Sequence, residues 1–154
     1  LRSGATVEAD LVVTATGLRI ELIGGATIEV DGERVNAGER MLYKGTMISG
    51  VPNAAISIGY TNASWTLKCE LISEYICRLL NYMDERGFAE VRPERPADVE
   101  EAPLLDFNSG YVLRALDRVP RQGTRAPWRL YQNYILDRIV LRGASVEDDA
   151  LHFT

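Results

Sequence analysis

The 154-residue sequence predicts an α/β fold, and three observations support that prediction. Two apolar runs, residues 10–17 and 53–60, have the continuous hydrophobic character of strands that are covered on both faces. Between them, apolar and polar residues alternate around Asp31-Gly32, a pair that favours a tight β-hairpin turn. After the second run, apolar residues recur at helical spacing over residues 67–83.

The first apolar run, "DLVVTATGL" from Asp10 to Leu18, is predicted to be a strand that ends at Gly17, where glycine lets the backbone turn sharply. Thr14 and Thr16 stand at its end. A strand end of this kind can line a nucleotide crevice at the carboxyl edge of a parallel sheet. It can equally be an ordinary strand followed by a turn, and taken alone the pattern favours this second interpretation.

The next segment, residues 18–48, is predicted to be a small antiparallel excursion built on the Asp-Gly turn. The helix that follows the second strand is the best-supported element, since an apolar stripe runs along one side of it. Asn62 or Ser64 can cap its start, and Gly87 stands where a left-handed C-terminal cap is expected.

Beyond Gly87 the composition changes, and residues 90–103 are rich in proline and acidic residues, which predicts a surface crossing. The remaining predicted elements are a short helix over 111–119, a loop over 120–128, a second helix over 129–143 and a closing strand over 150–154. We therefore divide the chain into a first part, residues 1–87, and an extension that packs on it, residues 88–154.

The strand, glycine and polar turn at residues 59–66, "GYTNASWT", form the most informative candidate site. The first N–H groups of a helix lack internal partners, and with the helix dipole they favour a negative charge or a polarised carbonyl. Gly59 would let a ligand approach the backbone, and Trp65 offers a flat face to a ring. Alternatively, Asn62 and Ser64 merely cap the helix and Trp65 fills a corner of the core. The residues alone favour that structural role.

The bulk composition narrows the function classes. The net charge of −5 argues against nucleic acid as the main partner, although seven arginines stand between Arg114 and Arg142 against two acids. That local excess favours a solvated face balancing the acidic segment before it, over a contact with phosphate or protein. Cys69 and Cys77 are too far apart on one helix to form a disulfide, which suits a reducing cytoplasm. No run is long enough to span a membrane, and the single histidine, His152, leaves no metal-binding spacing.

Three segments carry a resemblance to a known family. Residues 10–18 resemble the Asp-to-Ala-Thr-Gly motif of flavin-dependent monooxygenases that use FAD and NADPH. Residues 42–87, with the specific wording "GYTNASWTLK" inside them, are similar to a later segment of the Baeyer–Villiger type of these class B monooxygenases. The similarity continues through residues 104–143.

The resemblance implies a C-terminal section of such an enzyme: part of an FAD/NAD(P)-binding Rossmann-like lobe, with the hairpin excursion and a helical C-terminal extension. Residues 15–17 would lie near bound cofactor, and the strand ending at residue 59 would return to the FAD-binding lobe. The helix start would then aim at the pyrimidine edge of the flavin and favour negative charge on the reduced ring. The cofactor-binding residues implied in this way are Ala15, Thr16, Gly17, Gly59, Asn62, Ala63, Ser64, Trp65 and Thr66.

In such an enzyme NADPH reduces the flavin, which then uses O2 to insert oxygen beside a ketone, or to oxidise a sulfur, in a small organic substrate. Both glycine-rich nucleotide fingerprints and the expected upstream arginine are absent from these residues. We therefore expect this stretch alone to be inactive, to bind FAD weakly or not at all, to hold no catalytic residue, and to self-associate through exposed apolar surface. Two alternatives stay open: a non-catalytic protein-interaction module, and a monooxygenase that oxygenates nitrogen or sulfur without Baeyer–Villiger activity.

Overall fold

The computed structural model describes residues 1–105 and 110–154; residues 106–109, part of the third resembling segment, lie outside the described residues. The fold mixes helices with short antiparallel strands, as predicted in its class. The helices are α1 (Trp65–Arg86), α2 (Gly110–Leu113) and α3 (Tyr134–Asp137), which continues into a π-helix (Arg138–Gly143), with 3-10 segments at Leu22–Gly25 and Ala37–Glu39. The strands are β1 (Ile28–Val30), β2 (Glu33–Val35), β3 (Leu42–Tyr43), β4 (Met47–Ile48), β5 (Val91–Pro93), β6 (Glu101–Pro103), β7 (Arg121–Gly123) and β8 (Leu151–Phe153).

The predicted antiparallel excursion is confirmed as two hairpins. Strands β1 and β2 pair around Asp31 and Gly32, whose φ angles of 53° and 82° are both left-handed, as a tight two-residue hairpin turn requires. Strands β3 and β4 pair around a three-residue loop, Lys44 to Thr46, in which Lys44 and Gly45 also have left-handed φ angles, 49° and 70°. Local turn chemistry therefore fixes the register of this part of the chain.

Helix α1 is the longest element and confirms the predicted apolar stripe. One side of it is buried through Leu71, Ile72, Tyr75, Leu79 and Met83. The helix ends as predicted at Gly87, which has a φ of 72° and donates its N–H to the carbonyl of Asp84. The next N–H, of Phe88, donates to the carbonyl of Met83 at 2.9 Å, which completes a Schellman cap.

The two strands predicted for the apolar runs are not formed. Residues 10–17 are unpaired, with Leu11, Val12 and Val13 exposed by 80%, 77% and 77%. Residues 53–58 alternate between exposed and half-buried side chains and Gly59 and Tyr60 are buried, but the run joins no sheet of the described residues. A strand covered on both faces needs neighbouring strands, and the part of the chain that the structure describes supplies none to either run.

Beyond α1, three strands form in segments whose proline and loop residues predicted no regular structure. The predicted surface crossing contains β5 and β6, and the predicted loop contains β7, which pairs with β6. Pro93 and Pro103 each occupy the last position of a two-stranded ladder, where the missing N–H is tolerated. The closing strand is confirmed as β8, which pairs with β5. The second helix is confirmed from Tyr134 rather than from residue 129, because Asn133 caps it there.

The β3–β4 hairpin lies between two apolar clusters. In its register Tyr43 pairs with Met47 on one face, and Leu42 pairs with Ile48 on the other. The first face packs in the cluster with α1, and the second packs in the cluster with residues from the α2 region and the β1–β2 hairpin. Both clusters contain residues from before and after residue 87, and the division of the chain there stays a prediction.

Burial of the hairpin draws its turn lysine into the interior. The Lys44 ammonium lies 3.8 Å from the Asp148 carboxylate and 4.6 Å from the centre of the Tyr75 ring. The Tyr43 hydroxyl donates to the same carboxylate at 3.1 Å, and the Tyr75 hydroxyl donates to Tyr43 at 3.3 Å. Burial lowers the pKa of Lys44 to about 8 and raises the pKa of Tyr75 to about 12.

The low pKa of Lys44 predicts a stability that rises with pH. In the unfolded chain the lysine keeps its proton up to about pH 10.5, whereas the folded chain releases it near pH 8. The free energy of unfolding therefore rises between these two pH values. One pKa unit corresponds to about 1.4 kcal/mol, which makes the rise across the whole window on the order of 3 kcal/mol.

Urea unfolding between pH 8 and pH 10 measures this rise; above pH 10 the raised tyrosine pKa values act in the opposite direction. The variant Lys44→Met has no ammonium to desolvate, so its unfolding free energy should lack the upward slope. A slope of equal size in the parent and variant chains would contradict the assignment to Lys44.

Candidate functional site

The start of α1 has no side-chain cap. Ser64 occupies the N-cap position, but its hydroxyl lies 2.8 Å from the Thr66 hydroxyl and accepts no N–H from the first turn. The Asn62 side chain turns away and donates to the carbonyl of Gln132 at 3.1 Å. The prediction that Asn62 or Ser64 caps the helix through its side chain is therefore wrong, because both side chains have other partners. From residues 1–105 and 110–154, the first N–H groups of the 22-residue α1 receive no side-chain acceptor.

Gly59 and Trp65 fit closely against each other. A Cβ atom added to Gly59 would lie 2.3 Å from Cγ of the Trp65 ring, closer than any side chain tolerates. Trp65 itself is 59% exposed, so it does not fill the core and its remaining surface is open. The indole thus occupies the space beside Gly59 through which a ligand was expected to approach the backbone. Contact of Gly59 with a cofactor stays a prediction.

A glutamine far along the chain holds the turn before α1. The side-chain oxygen of Gln132 accepts the Thr61 N–H at 3.0 Å and the Thr61 hydroxyl at 3.2 Å. Gln132 has a φ of 52°, and the residue after it, Asn133, caps α3 by accepting two N–H groups. Sequence reasoning missed Gln132, since no local pattern signals a contact across 71 positions.

A buried ion pair fastens the second turn of α1 to α3. The Lys68 ammonium donates to the Asp137 carboxylate at 2.9 Å, and the two side chains are 2% and 5% exposed. The ammonium also lies 5.2 Å from the centre of the buried Tyr60 ring. Burial, with the nearby Asp137 carboxylate, raises the pKa of the Tyr60 hydroxyl above its ordinary value. The turn at residues 61–64 is therefore held by its hydrogen bonds to Gln132, and the helix that follows it is held by this ion pair.

The other predicted site, residues 15–17, lies in a separate place. Ala15 is exposed, while Thr16 and Gly17 line a cavity of about 690 Å³ with Tyr111 and Arg114. None of the residues described along this cavity comes from 59–66. The structure thus brings Thr16 and Gly17 close to the α2 region and does not join them to the start of α1 in one cavity.

Removal of Lys68 should be strongly destabilising. In Lys68→Met the Asp137 carboxylate would stay buried without its partner, which costs about 3–5 kcal/mol of unfolding free energy. The double variant Lys68→Met/Asp137→Leu removes both charges and should regain most of that loss. Urea unfolding followed by circular dichroism measures each value.

A matched control is the exposed pair formed by Arg125 and Asp98, where Arg125→Met should cost much less than Lys68→Met because solvent screens the pair. Equal losses for Lys68→Met and Arg125→Met would show that burial of the first pair has no energetic consequence.

No protein-family model and no solved structure matches the chain. The FAD-containing monooxygenase EthA of Mycobacterium tuberculosis is 54% identical over 154 residues, which are 99% of this chain and 32% of that protein. EthA of Mycolicibacterium smegmatis is 54% identical over all of this chain and 32% of its own length. The "Probable FAD-binding monooxygenase AlmA" of Acinetobacter baylyi is 47% identical over 99% of this chain and 31% of its own length.

The described helices include none that is long and apolar enough to cross a membrane. The sequence similarity extends over nearly every residue, including both predicted sites. The resemblance to flavin-dependent monooxygenases noted in the sequence is thereby confirmed as a similarity: the chain spans about one third of the length of the FAD-containing monooxygenases, such as EthA, that it matches.

Proposed function

We propose that the chain is the C-terminal part of an FAD- and NADPH-dependent monooxygenase and supplies one edge of its flavin pocket. The observation that carries the proposal is the start of α1, where a long helix presents N–H groups without a side-chain cap beside an exposed indole. The relatives are named FAD-containing or FAD-binding monooxygenases, and their sequences match this region. A ligand that accepts hydrogen bonds would satisfy these groups.

The residues of the turn fit the pyrimidine edge of a flavin. That edge carries carbonyl oxygens and becomes negative on reduction, and N–H groups at a helix start favour such charge. The open surface of Trp65 offers an apolar wall that excludes water, while Gln132 keeps Thr61 and Asn62 in place. When bound, FAD reduced by NADPH supplies the reaction with O2, and this chain supplies placement and polarity.

In the intact protein we propose that residues 10–17 complete a Rossmann-like lobe, with 1–87 in the nucleotide-binding region and 88–154 as the extension. The exposed Leu11, Val12 and Val13 support this, since such a run is typical of a strand with neighbours on both sides. Ala15, Thr16 and Gly17 would then lie near bound cofactor. The substrate would be a small ketone or sulfur compound, oxidised in the cytoplasm by an enzyme whose catalytic groups lie outside residues 1–154.

Some of the same observations also support two other functions. A nitrogen- or sulfur-oxygenating enzyme would use the same flavin edge, and product analysis with a ketone and a thioether separates it from Baeyer–Villiger chemistry. A non-catalytic module would use the exposed apolar run to bind protein. The similarity to named monooxygenases over the whole chain favours the enzyme.

The visible absorption spectrum of the full-length protein that contains this chain tests the proposal first. We expect flavin bands that bleach when NADPH is added under anaerobic conditions. A colourless protein that takes up no added FAD would refute the assignment and leave the non-catalytic module.

The role of the α1 start has its own test in the variant Ser64→Asp. A carboxylate at the N-cap should stabilise the helix by about 0.5–1 kcal/mol, but it would repel negative charge on the reduced flavin. We therefore expect a higher melting temperature together with weaker FAD binding and a lower flavin reduction potential. Ser64→Asn is the matched neutral control. If both variants keep the parent potential, the flavin edge does not face this turn.

Self-association of the 154-residue chain is the last expectation, because Val12 and its neighbours leave apolar surface open. Sedimentation velocity over a range of concentrations should show a dimer. Val12→Glu should weaken the dimer, whereas Leu113→Glu, at an exposed apolar residue outside that run, should not. A monomer at high concentration would contradict this proposal without affecting flavin binding.

A further inference from the structure

The arginine excess that the sequence shows between residues 114 and 142 is only partly neutralised in the fold. Four of the seven arginines lie within 4 Å of carboxylates, namely Arg118, Arg121, Arg125 and Arg142. Two of these partners, Asp98 and Glu101, belong to the acidic segment, which confirms part of the solvated-face interpretation. Within residues 1–105 and 110–154, the arginines that pair with no carboxylate are Arg114, Arg129 and Arg138.

Of these three, Arg129 lines a cavity with an apolar floor. The cavity has a volume of about 530 Å³, within the range of small-molecule sites, and its floor includes the three leucines Leu104, Leu105 and Leu130. Thr61 borders it, so the cavity lies beside the turn before α1. No carboxylate is among the described residues that line it. A cation beside an apolar floor, with no carboxylate among the lining residues of 1–105 and 110–154, favours a ligand that is both apolar and negatively charged.

Of the other polar side chains along the cavity, Gln132 supplies a hydrogen-bond donor, whereas Gln122 is already engaged. The Gln132 side-chain oxygen is already occupied by Thr61, so this glutamine can offer its amide N–H groups. Gln122 is used at both ends, since its amide donates to Pro103 and its oxygen accepts the Leu130 N–H. The Arg129 guanidinium lies 5.4 Å from the centre of the Tyr131 ring, which positions it by a cation–π contact.

We propose that this cavity binds a small amphipathic carboxylate, with the carboxylate on Arg129 and the Gln132 amide and the hydrocarbon body on the leucine floor. The guanidinium can hold a carboxylate through two parallel N–H bonds, and the amide N–H groups add a third donor. The proposal concerns the chain itself and does not depend on flavin binding.

Isothermal titration of the 154-residue chain with benzoate and with benzamide tests the site, because the two probes have the same shape and differ in charge. We expect benzoate to bind about ten-fold more tightly, a preference that salt weakens. In Arg129→Gln that preference should disappear, while Arg129→Lys, which keeps the charge, should retain part of it.

Arg125→Gln is the matched control, since Arg125 lies on the same loop but pairs with Asp98, and this variant should keep the parent preference. Three results would overturn the proposal: no benzoate binding at about 10 mM, equal affinities for benzoate and benzamide, or a preference that survives in Arg129→Gln. None of these results would bear on the flavin proposal, because no flavin is present in the titration.

Discussion

The burial of the β3–β4 hairpin on both faces is the constraint on which the rest of the structure depends. Four strand residues serve two apolar clusters, so α1 on one side and the α2 region on the other must close over the same small element. A turn in such a place cannot keep its lysine in water, and Lys44 is 5% exposed. The ammonium lies beside the Asp148 carboxylate and two tyrosines, Tyr43 and Tyr75, because a buried charge requires partners.

A second brace acts at the start of α1, and it determines what that surface can do. Gln132 holds the turn, Asn133 begins α3, and the Lys68–Asp137 pair locks the two helices together one turn deeper. Rigid support of this kind is what a binding surface needs, because groups fixed before binding lose little freedom on contact. The same glutamine faces the cavity beside Arg129, so the proposed flavin edge and the proposed carboxylate site share one supporting residue.

Features that depend on residues close together in the sequence were predictable, and features that depend on distant segments were not. The Asp31-Gly32 hairpin and the Gly87 cap depend on a few neighbouring residues, and α1 depends on its own periodicity, so all three were predictable. The strands expected at 10–17 and 53–60 depend on partner strands, which an apolar run cannot specify. Strands β6 and β7 contain proline or loop signals and pair across distant segments, so no local pattern predicts them. The contact of Gln132 with Thr61 also joins distant segments.

The close fit of Trp65 against Gly59 has a spectroscopic consequence. The chain has two tryptophans, and they lie in opposite environments: Trp65 is 59% exposed at the start of α1, while Trp128 is 1% exposed in the core. Their fluorescence therefore divides into a polar, quencher-accessible component and an apolar, protected one. The first component reports what arrives at the helix start and the second reports the integrity of the interior, so the molecule carries separate optical signals for binding and for folding.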